Sequence, residues 1–425
     1  MNIAVIGLGY IGLPTAALLA RSGHRVYGYD VNAHLRHRLQ RGEVAAGESL
    51  VRQAVTEALA SGHFHVVDGI PKVQAYVLCL PTPTHEGKPD LSYVEAAAAA
   101  VAAVAEPKAI LVLESTVPPG ATERIFEQAL SAAGKSIDDF HVAHCPERVI
   151  PGAIMHELRT NGRVVGGRTP EDAEIVRDLY ASFCESSISL TSTRTAEFVK
   201  VVENTFRDVN IAFANELAIV SEELGIDVWE TIALANKHPR VDILQPGPGV
   251  GGHCIPVDPH FLADANPFAT ELVQAARRVN ERMPHQIVRR ITELVEPEPG
   301  RKIALLGAAY KADVDDARES PTVRIDALLR DRGYTTAIYD PHVTEFDRPI
   351  SYSLREAVTD ADALVLVTPH TVFRGIRPSE MASLMRTPRL VDTRRFFDAA
   401  EWQRCGFACY LLGHPFKRVA AQAVA

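Results

Sequence analysis

Sulfur and tryptophan are scarce in this chain: its 425 residues hold six cysteines, five methionines and two tryptophans. Cys79, Cys145, Cys184, Cys254, Cys405 and Cys409 are scattered, with a close spacing only between the last two. So few thiols in so long a chain exclude a disulfide framework and fit a reducing cytoplasm. Positive charge is also short. Forty-four Lys and Arg against 53 Asp and Glu give a formal net charge of -9, which argues against a nucleic-acid or anionic-membrane partner. An anionic ligand must then be held by a local basic site. Long apolar runs are missing as well. The N-terminal IAVIGLGYIGLPTAALLA resembles a signal peptide in hydropathy, but it has no basic leader and carries regularly placed glycines. No other stretch is apolar for long enough to span a bilayer. A soluble, cytoplasmic protein is expected. The remainder, 47% hydrophobic and 23% charged, is ordinary for a globular chain, and the length suggests about two or three domains.

Short apolar runs alternate with helical stretches through the first half. Strands are predicted at Asn2–Gly7, His24–Asp30, Ala75–Leu80, Ala109–Glu114 and His141–His144. Ile11–Ser22, Ala33–Gly42 and the Ala-rich Tyr93–Ala105 read as helices. That alternation implies a parallel, doubly wound sheet, with His141–His144 as its last strand. From Thr195 to Leu224 there is no Gly or Pro, and apolar residues recur at helical spacing until Gly225 supplies a stop. Such a helix would run about 45 Å, longer than one domain needs. It reads as a connector between domains, and as a dimer contact. After the linker Glu296–Gly300 a second α/β pattern begins, with strands at Lys302–Leu306, Thr335–Tyr339, Ala363–Val367 and Arg389–Val391. The expected fold class is α/β, two Rossmann-like doubly wound domains joined by a long central helix. The boundaries are 1–194, 195–295 and 296–425.

Gly7-Leu-Gly9-Tyr10-Ile11-Gly12 is a GxGxxG between a strand and a helix, with a second strand ending at Asp30. In that context the glycines admit a pyrophosphate at the helix N-terminus, and Asp30 accepts hydrogen bonds from a ribose diol. A 2′-phosphate would be repelled by Asp30, so NAD is favoured over NADP. The densest signal lies later, in Gln245-Pro-Gly-Pro-Gly-Val-Gly-Gly-His-Cys254-Ile-Pro-Val-Asp258. A loop so rich in Gly and Pro passes close to something. A lone cysteine is more often a small buried hydrophobe, but here glycines leave Cys254 unobstructed and Asp258 follows four residues on. His253, Cys254, Asp258 and His260 would make an unusual ligand set with no second cluster to complete it, so no metal is expected. On the long helix Lys200 and Asn204 share one face at i,i+4, interrupting an apolar surface formed by Val199, Val201, Val202 and Phe206. They are either solvated or an acid/base and oxyanion pair for C–OH oxidation. Thr82, Thr84 and Thr116 sit where first-domain strands end, the edge at which ligands bind. Glu147, after the predicted last strand, is the candidate for activating water.

GLGYIGLPTA, PTPT, ESTVPPGAT, CPERVIPG, AEFVKVVENTFRDVNIAFANELA, GGHCIPVDP and KADVDDARESP together resemble the UDP-glucose/GDP-mannose dehydrogenase family, in the family's order and over nearly the whole chain. CPERVIPGAIMHEL and HPRVDILQPGPGVGGHC are most similar to the branch acting on UDP-N-acetyl-D-mannosamine. The resemblance implies a four-electron oxidation at C6, with two hydrides passed to NAD, a Cys254 thiohemiacetal and then a thioester hydrolysed to the uronate. It implies that Lys200 and Asn204 stabilise charge on oxygen, that Glu147 handles water, that Asp258 positions Lys200 or a water, and that Thr116 lies near the reacting centre. For the cofactor it implies Gly7, Gly9, Tyr10, Ile11, Gly12, Asp30, Thr84, Thr116 and Arg318. For the UDP-sugar it implies Glu147, Arg148, Val149, Lys200, Asn204, Arg240, Gly251, Lys311 and Arg395, with a homodimer as the assembly and an acidic surface polysaccharide as the destination.

Two positions depart from the pattern. Pro151 stands where the UDP-glucose branch often has a second Glu, and Leu35 stands near a basic residue that many relatives place on the adenosine side. The same chemistry on UDP-GlcNAc or UDP-glucose stays open. Two-electron dehydrogenases of hydroxy acids have no use for a loop cysteine, and a non-catalytic NAD and nucleotide-sugar sensor would be expected to have lost Cys254, Lys200 or Glu147.

Overall fold

The structure, a computed structural model, describes residues 1–44, 48–85, 87–150 and 152–415. Pro151 therefore lies outside the described residues. These residues fall into two compact units, Met1–Glu203 with His260–Pro267, and Asn204–Pro259 with the rest of the chain from Phe268.

The first unit holds β1 (Asn2–Ile6), β2 (Arg25–Tyr29), β3 (Phe64–Val66), β4 (Ala75–Leu78), a short hairpin of β5 (Thr84–His85) and β6 (Lys88–Pro89), then β7 (Ile110–Leu113), β8 (His141–His144), β9 (Arg163–Gly167) and β10 (Ile188–Ser192). Its main sheet runs β10-β9-β8-β7-β4-β1-β2-β3. From β3 to β8 the pairing is parallel in the 3-2-1-4-5-6 order of a dinucleotide-binding sheet. β4 and β7 are apolar throughout because helices cover both faces of such a sheet. β8 is not the last strand. β9 pairs with it antiparallel and β10 pairs parallel with β9, extending the sheet by two. Their signal is weak because β9 starts on an arginine and ends on two glycines, and β10 is a half-exposed edge.

The second unit carries β11 (Lys302–Leu306), β12 (Thr335–Tyr339), β13 (Ala363–Leu366), β14 (Arg389–Asp392) and β15 (Ala408–Leu411). All are parallel, in the order β12-β11-β13-β14-β15, the 2-1-3-4-5 arrangement of the other common doubly wound sheet. Its opening repeats the first unit's almost bond for bond. Gly7 N–H donates to the Tyr29 carbonyl at 2.8 Å, and Gly307 N–H to the Tyr339 carbonyl at 2.9 Å. Leu8 N–H donates to Asp30 Oδ2 at 2.8 Å, and Ala308 N–H to Asp340 Oδ2 at 2.6 Å. The copies then diverge. Asp340 also takes N–H groups from Ala309, His342 and Val343 and the Nε2 of buried His370 at 2.8 Å. A carboxylate so fully engaged has nothing left for a ribose diol, which accounts for a changed ligand preference in this sheet.

The long helix runs Thr193–Leu224 and stops at Gly225, whose φ is +72°. Its polarity is inverted. Glu197, Lys200, Asn204, Asp208 and Asn215 are buried, whereas Phe198, Val202, Phe206, Phe213, Val220 and Leu224 are exposed. Of the apolar residues around Lys200 and Asn204, Val202 and Phe206 face outward, Val199 is half-buried and Val201 is buried.

Candidate active site

In the first unit the helix Gly12–Arg21 opens at Ile11 with no side chain capping it, so its first N–H groups remain available to an anion. A Cβ at Gly12 would overlap the Gly7 carbonyl, while the same atom at Gly9 would meet nothing within 4 Å. The loop is thus closed behind and open in front, a cradle of the kind a pyrophosphate needs. Tyr10 is exposed, and its hydroxyl donates to Glu48 Oε1 at 3.0 Å. Asp30 accepts from Leu8 N–H and Asn32 N–H, one on each oxygen at 2.8 Å, which leaves a lone pair on each for a ribose hydroxyl. The basic residue missing at Leu35 stands next door. Arg36 donates to the Asp30 carbonyl at 2.6 Å, lies over the Tyr29 ring and pairs with Asp68. Thr84 and Thr116 are half-buried, on β5 and in the turn after β7. A cavity of about 640 Å³ opens between the hairpin and the Pro118–Ala121 turn, with Arg124 and Arg194 on its wall.

The same unit holds a dry ion pair. Lys200 Nζ donates to Glu147 Oε1 at 2.9 Å, with 6% and 13% of the two side chains exposed. The reading of Lys200 as a solvated surface residue is therefore excluded. Glu147 Oε2 accepts the Val149 N–H at 2.9 Å. Arg148 is engaged with Glu203 and the Gly162 carbonyl, which makes it an anchor for this turn. His144 was not singled out by sequence. It is fully buried, its Nδ1 lies 3.2 Å from the Thr122 hydroxyl, and burial, then the Lys200 charge, pull its pKa down to about 3.

In the second unit Cys254 ends the glycine-rich loop. Its carbonyl accepts N–H groups from Val257 and Asp258, and Asn204 Nδ2 donates to Asp258 Oδ2 at 2.6 Å. Asp258 thus orients the amide of Asn204. Gly252 N–H donates to the Arg318 carbonyl at 2.9 Å, and a Cβ at Gly251 would stand 2.7 Å from the Glu319 carbonyl oxygen and 2.8 Å from Tyr310 Cβ. The Gly-Gly-His-Cys stretch therefore lies on the segment 310–319. There the Tyr310 phenol is pushed up to about 12 by burial, then by Asp316 and Cys254, while Arg318 forks onto Asp316. Lys311 is half-buried and Arg240 exposed.

Arg395 is exposed, with a left-handed backbone. Its neighbour Arg394, which sequence passed over, is the desolvated one: burial outweighs Asp392 and lowers its pKa to about 10, and its guanidinium stands where a Cβ on Gly247 would be. An under-compensated cation against the glycine-rich loop fits an anionic ligand. The only warning in the sequence is the doublet itself, since the turn after β14 decides which arginine points inward.

Burial sets three of the six thiols apart. Burial raises Cys79 well above its usual range and Cys145 to about 11, in the core of the first unit, and raises Cys409 to about 11. Cys254 alone among them follows a glycine pair. Among the described residues one group, Asp313, His342 and His370, has metal-ligand spacing. Both nitrogens of its His370 are already engaged, by Asp340 and by the Asp313 N–H.

Sequence models of the UDP-glucose/GDP-mannose dehydrogenase family match residues 1–184 (NAD binding domain), 194–282 (central domain) and 304–399 (UDP binding domain). The chain belongs to the UDP-glucose/GDP-mannose dehydrogenase family. It is 40% identical to the UDP-N-acetyl-D-mannosamine dehydrogenase of Methanococcus maripaludis, with 97% of each chain covered. It is also 40% identical to an NDP-N-acetyl-D-galactosaminuronic acid dehydrogenase of Ralstonia nicotianae, covering 94% of this chain and 96% of that one. The solved UDP-D-ManNAc dehydrogenase of Pyrococcus horikoshii superposes with a TM-score of 0.91 at 39% identity, over 97% and 99% of the two chains. The chain is thus an NAD-dependent nucleotide-sugar dehydrogenase of two nucleotide-binding domains, and the open glycine cradle with Asp30 behind it suits NAD.

Proposed function

We propose that the protein oxidises the C6 alcohol of UDP-N-acetyl-D-mannosamine to the carboxylate, through a covalent adduct on Cys254. The observation that carries this reading is the placement of Cys254, a partly exposed thiol at the end of a glycine-rich loop, whereas Cys145 is buried in the core of the first unit. NAD, when bound, accepts the hydride removed from C6 in each of two oxidations. The chain's own groups do the rest. Lys200 and Asn204 stabilise negative charge on the C6 oxygen as alcohol becomes aldehyde. The Cys254 thiol adds across the carbonyl, forming a C–S bond and a hydroxyl. Oxidation of that thiohemiacetal leaves a thioester. Water, oriented by Glu147, attacks it, and the C–S bond breaks to give the carboxylate and the free thiol.

Gly7, Gly9, Tyr10, Ile11, Gly12, Asp30, Thr84, Thr116 and Arg318 form the cofactor side of this reading. Arg148, Val149, Arg240, Gly251, Lys311 and Arg395 form the substrate side, and Arg394 is added for the diphosphate. Residues 195–295 serve as the connector, the assembly is a homodimer, and the product feeds an acidic polysaccharide. N-acetylmannosamine is preferred over N-acetylgalactosamine, N-acetylglucosamine and glucose because of the similarity to enzymes named for it.

The test is NADH formed per sugar consumed, with UDP-N-acetylmannosamine, UDP-N-acetylgalactosamine, UDP-N-acetylglucosamine and UDP-glucose side by side. Two per sugar with the first alone is expected, and no uronate from Cys254→Ala, which still binds NAD. Two per sugar with another substrate overturns the substrate. One per sugar, or full uronate from Cys254→Ala, overturns the covalent mechanism.

A further inference from the structure

Three asparagines of the long helix tie down the glycine-rich loop, all within the second unit. Asn204 holds Asp258 at the loop's end. Asn210 accepts the Leu244 N–H at 3.0 Å and donates to the Asp242 carbonyl at 3.1 Å. Asn215 Oδ1 accepts the Gly247 N–H at 2.8 Å.

Asn215 is fully buried, so the rest of its amide must be satisfied by protein. Its Nδ2 donates to Asn280 Oδ1 at 2.9 Å, and Asn280 Nδ2 donates to the carbonyl and Oδ1 of Asp208. Arg277 Nη1 closes the chain on the same Oδ1 at 2.7 Å. As a device for holding two helices together this network is expensive. Burial, working against Arg277, still raises the Asp208 carboxyl, and Asp208 Oδ2 and Arg277 Nε find no partner among the described residues. Apolar side chains of similar volume would hold the helices at least as well. Among the described residues, the one bond by which this network leaves the helix pair goes to Gly247. There the backbone is fixed from the other side too, because even a Cβ would collide with the Arg394 guanidinium.

We propose that Asn215 is a positioning residue for Cys254: it sets where the loop begins, as Asn204 sets where it ends, and the buried Asp208–Asn280–Arg277 network holds its amide in the one orientation that does so. This rests on Cys254 being the nucleophile. The loop's placement, however, can be read without any sugar substrate.

The experiment compares Asn215→Ala with Asn280→Ala in the full-length protein. Both remove one buried amide from the same network, and only the first removes the Gly247 anchor. Three quantities are measured: thermal midpoint, the rate of Cys254 alkylation by iodoacetamide followed by peptide mass mapping, and kcat with NAD and UDP-N-acetylmannosamine. Both variants should lose midpoint. Asn215→Ala should in addition alkylate about threefold faster or more at Cys254, since a loosened loop exposes its thiol, and lose about 10²-fold in kcat, the scale of a misplaced reacting group. Its NAD affinity should not change. Asn280→Ala, which keeps the Gly247 anchor but frees the Asn215 amide, should change alkylation and kcat in the same direction by clearly less. Asn215→Ser, which keeps a shorter acceptor, should give smaller effects in the same direction and carries the comparison if the alanine variant does not fold. Wild-type alkylation in Asn215→Ala overturns the proposal, and so do equal losses in Asn280→Ala. If Cys254→Ser still makes uronate, the covalent reading fails, and the alkylation rates continue to decide the anchor.

Discussion

Lys200 and Glu147 are an ion pair that water barely reaches, and a few ångströms of protein around them change what their neighbours can do. His144 is the case in point. Its imidazole is buried, and its pKa is about 3 where an exposed histidine has 6.5, because burial and then the Lys200 charge disfavour the protonated form. The folded protein therefore binds a proton at His144 less readily than the unfolded chain does. The stability this group contributes is complete above pH 6.5, and it drains away as the pH falls from 6.5 towards 3. Between pH 7 and pH 5 the wild type should lose about 2 kcal/mol more than His144→Asn, which cannot titrate. The readout is thermal midpoint against pH for both proteins. Parallel curves would mean that the imidazole charges freely in the folded state.

Elements explain which parts of the site were legible. The GxGxxG was readable because a strand, a glycine turn and a helix are all local, and the first unit builds them where the spacing demands. Gly12 shows how tight that turn is: a Cβ there would overlap the Gly7 carbonyl, with backbone rather than a yielding side chain on the other side. Gly12→Ala should cost about 1–3 kcal/mol of stability by overpacking and sharply weaken NAD binding in a fluorescence titration. Unchanged affinity would show that the cradle yields more than its geometry implies. The Gly-Pro loop around Cys254 was legible for the same local reason. Arg394, His144 and Asn215 were not. Each acquires its role from a distant segment: Gly247 against Arg394, Lys200 beside His144, and Gly247 again opposite Asn215. β9 was missed because an arginine and two glycines bracket its apolar pair, and β10 because a half-exposed edge strand needs no apolar pattern of its own.

At the scale of the whole molecule the long helix poses a problem of solvent. At about 100° per residue, Phe198, Val202, Phe206, Phe213, Val220 and Leu224 fall within an arc of about 80°, and all six are exposed, Phe206 at 63% and Leu224 at 67%. Lys200, Asn204, Asp208 and Asn215 take the opposite face and are buried. A lone helix of a monomer places its charges outward and its phenylalanines inward. The reverse arrangement is tolerable only if something covers the stripe, since an exposed apolar band of this length marks an interface. The homodimer proposed above supplies the cover, with the stripe of one copy against the same stripe of another. Phe206→Asp with Phe213→Asp places two charges in the middle of that face, where a dimer would have to bury four without partners. The double variant should run as a monomer in light scattering at concentrations where the wild type runs as a dimer. Its helix should stay intact by circular dichroism, because neither side chain contributes to the fold's own core. A wild type that is already monomeric, or a double variant that remains dimeric, would move the interface off this helix and leave the stripe to another partner.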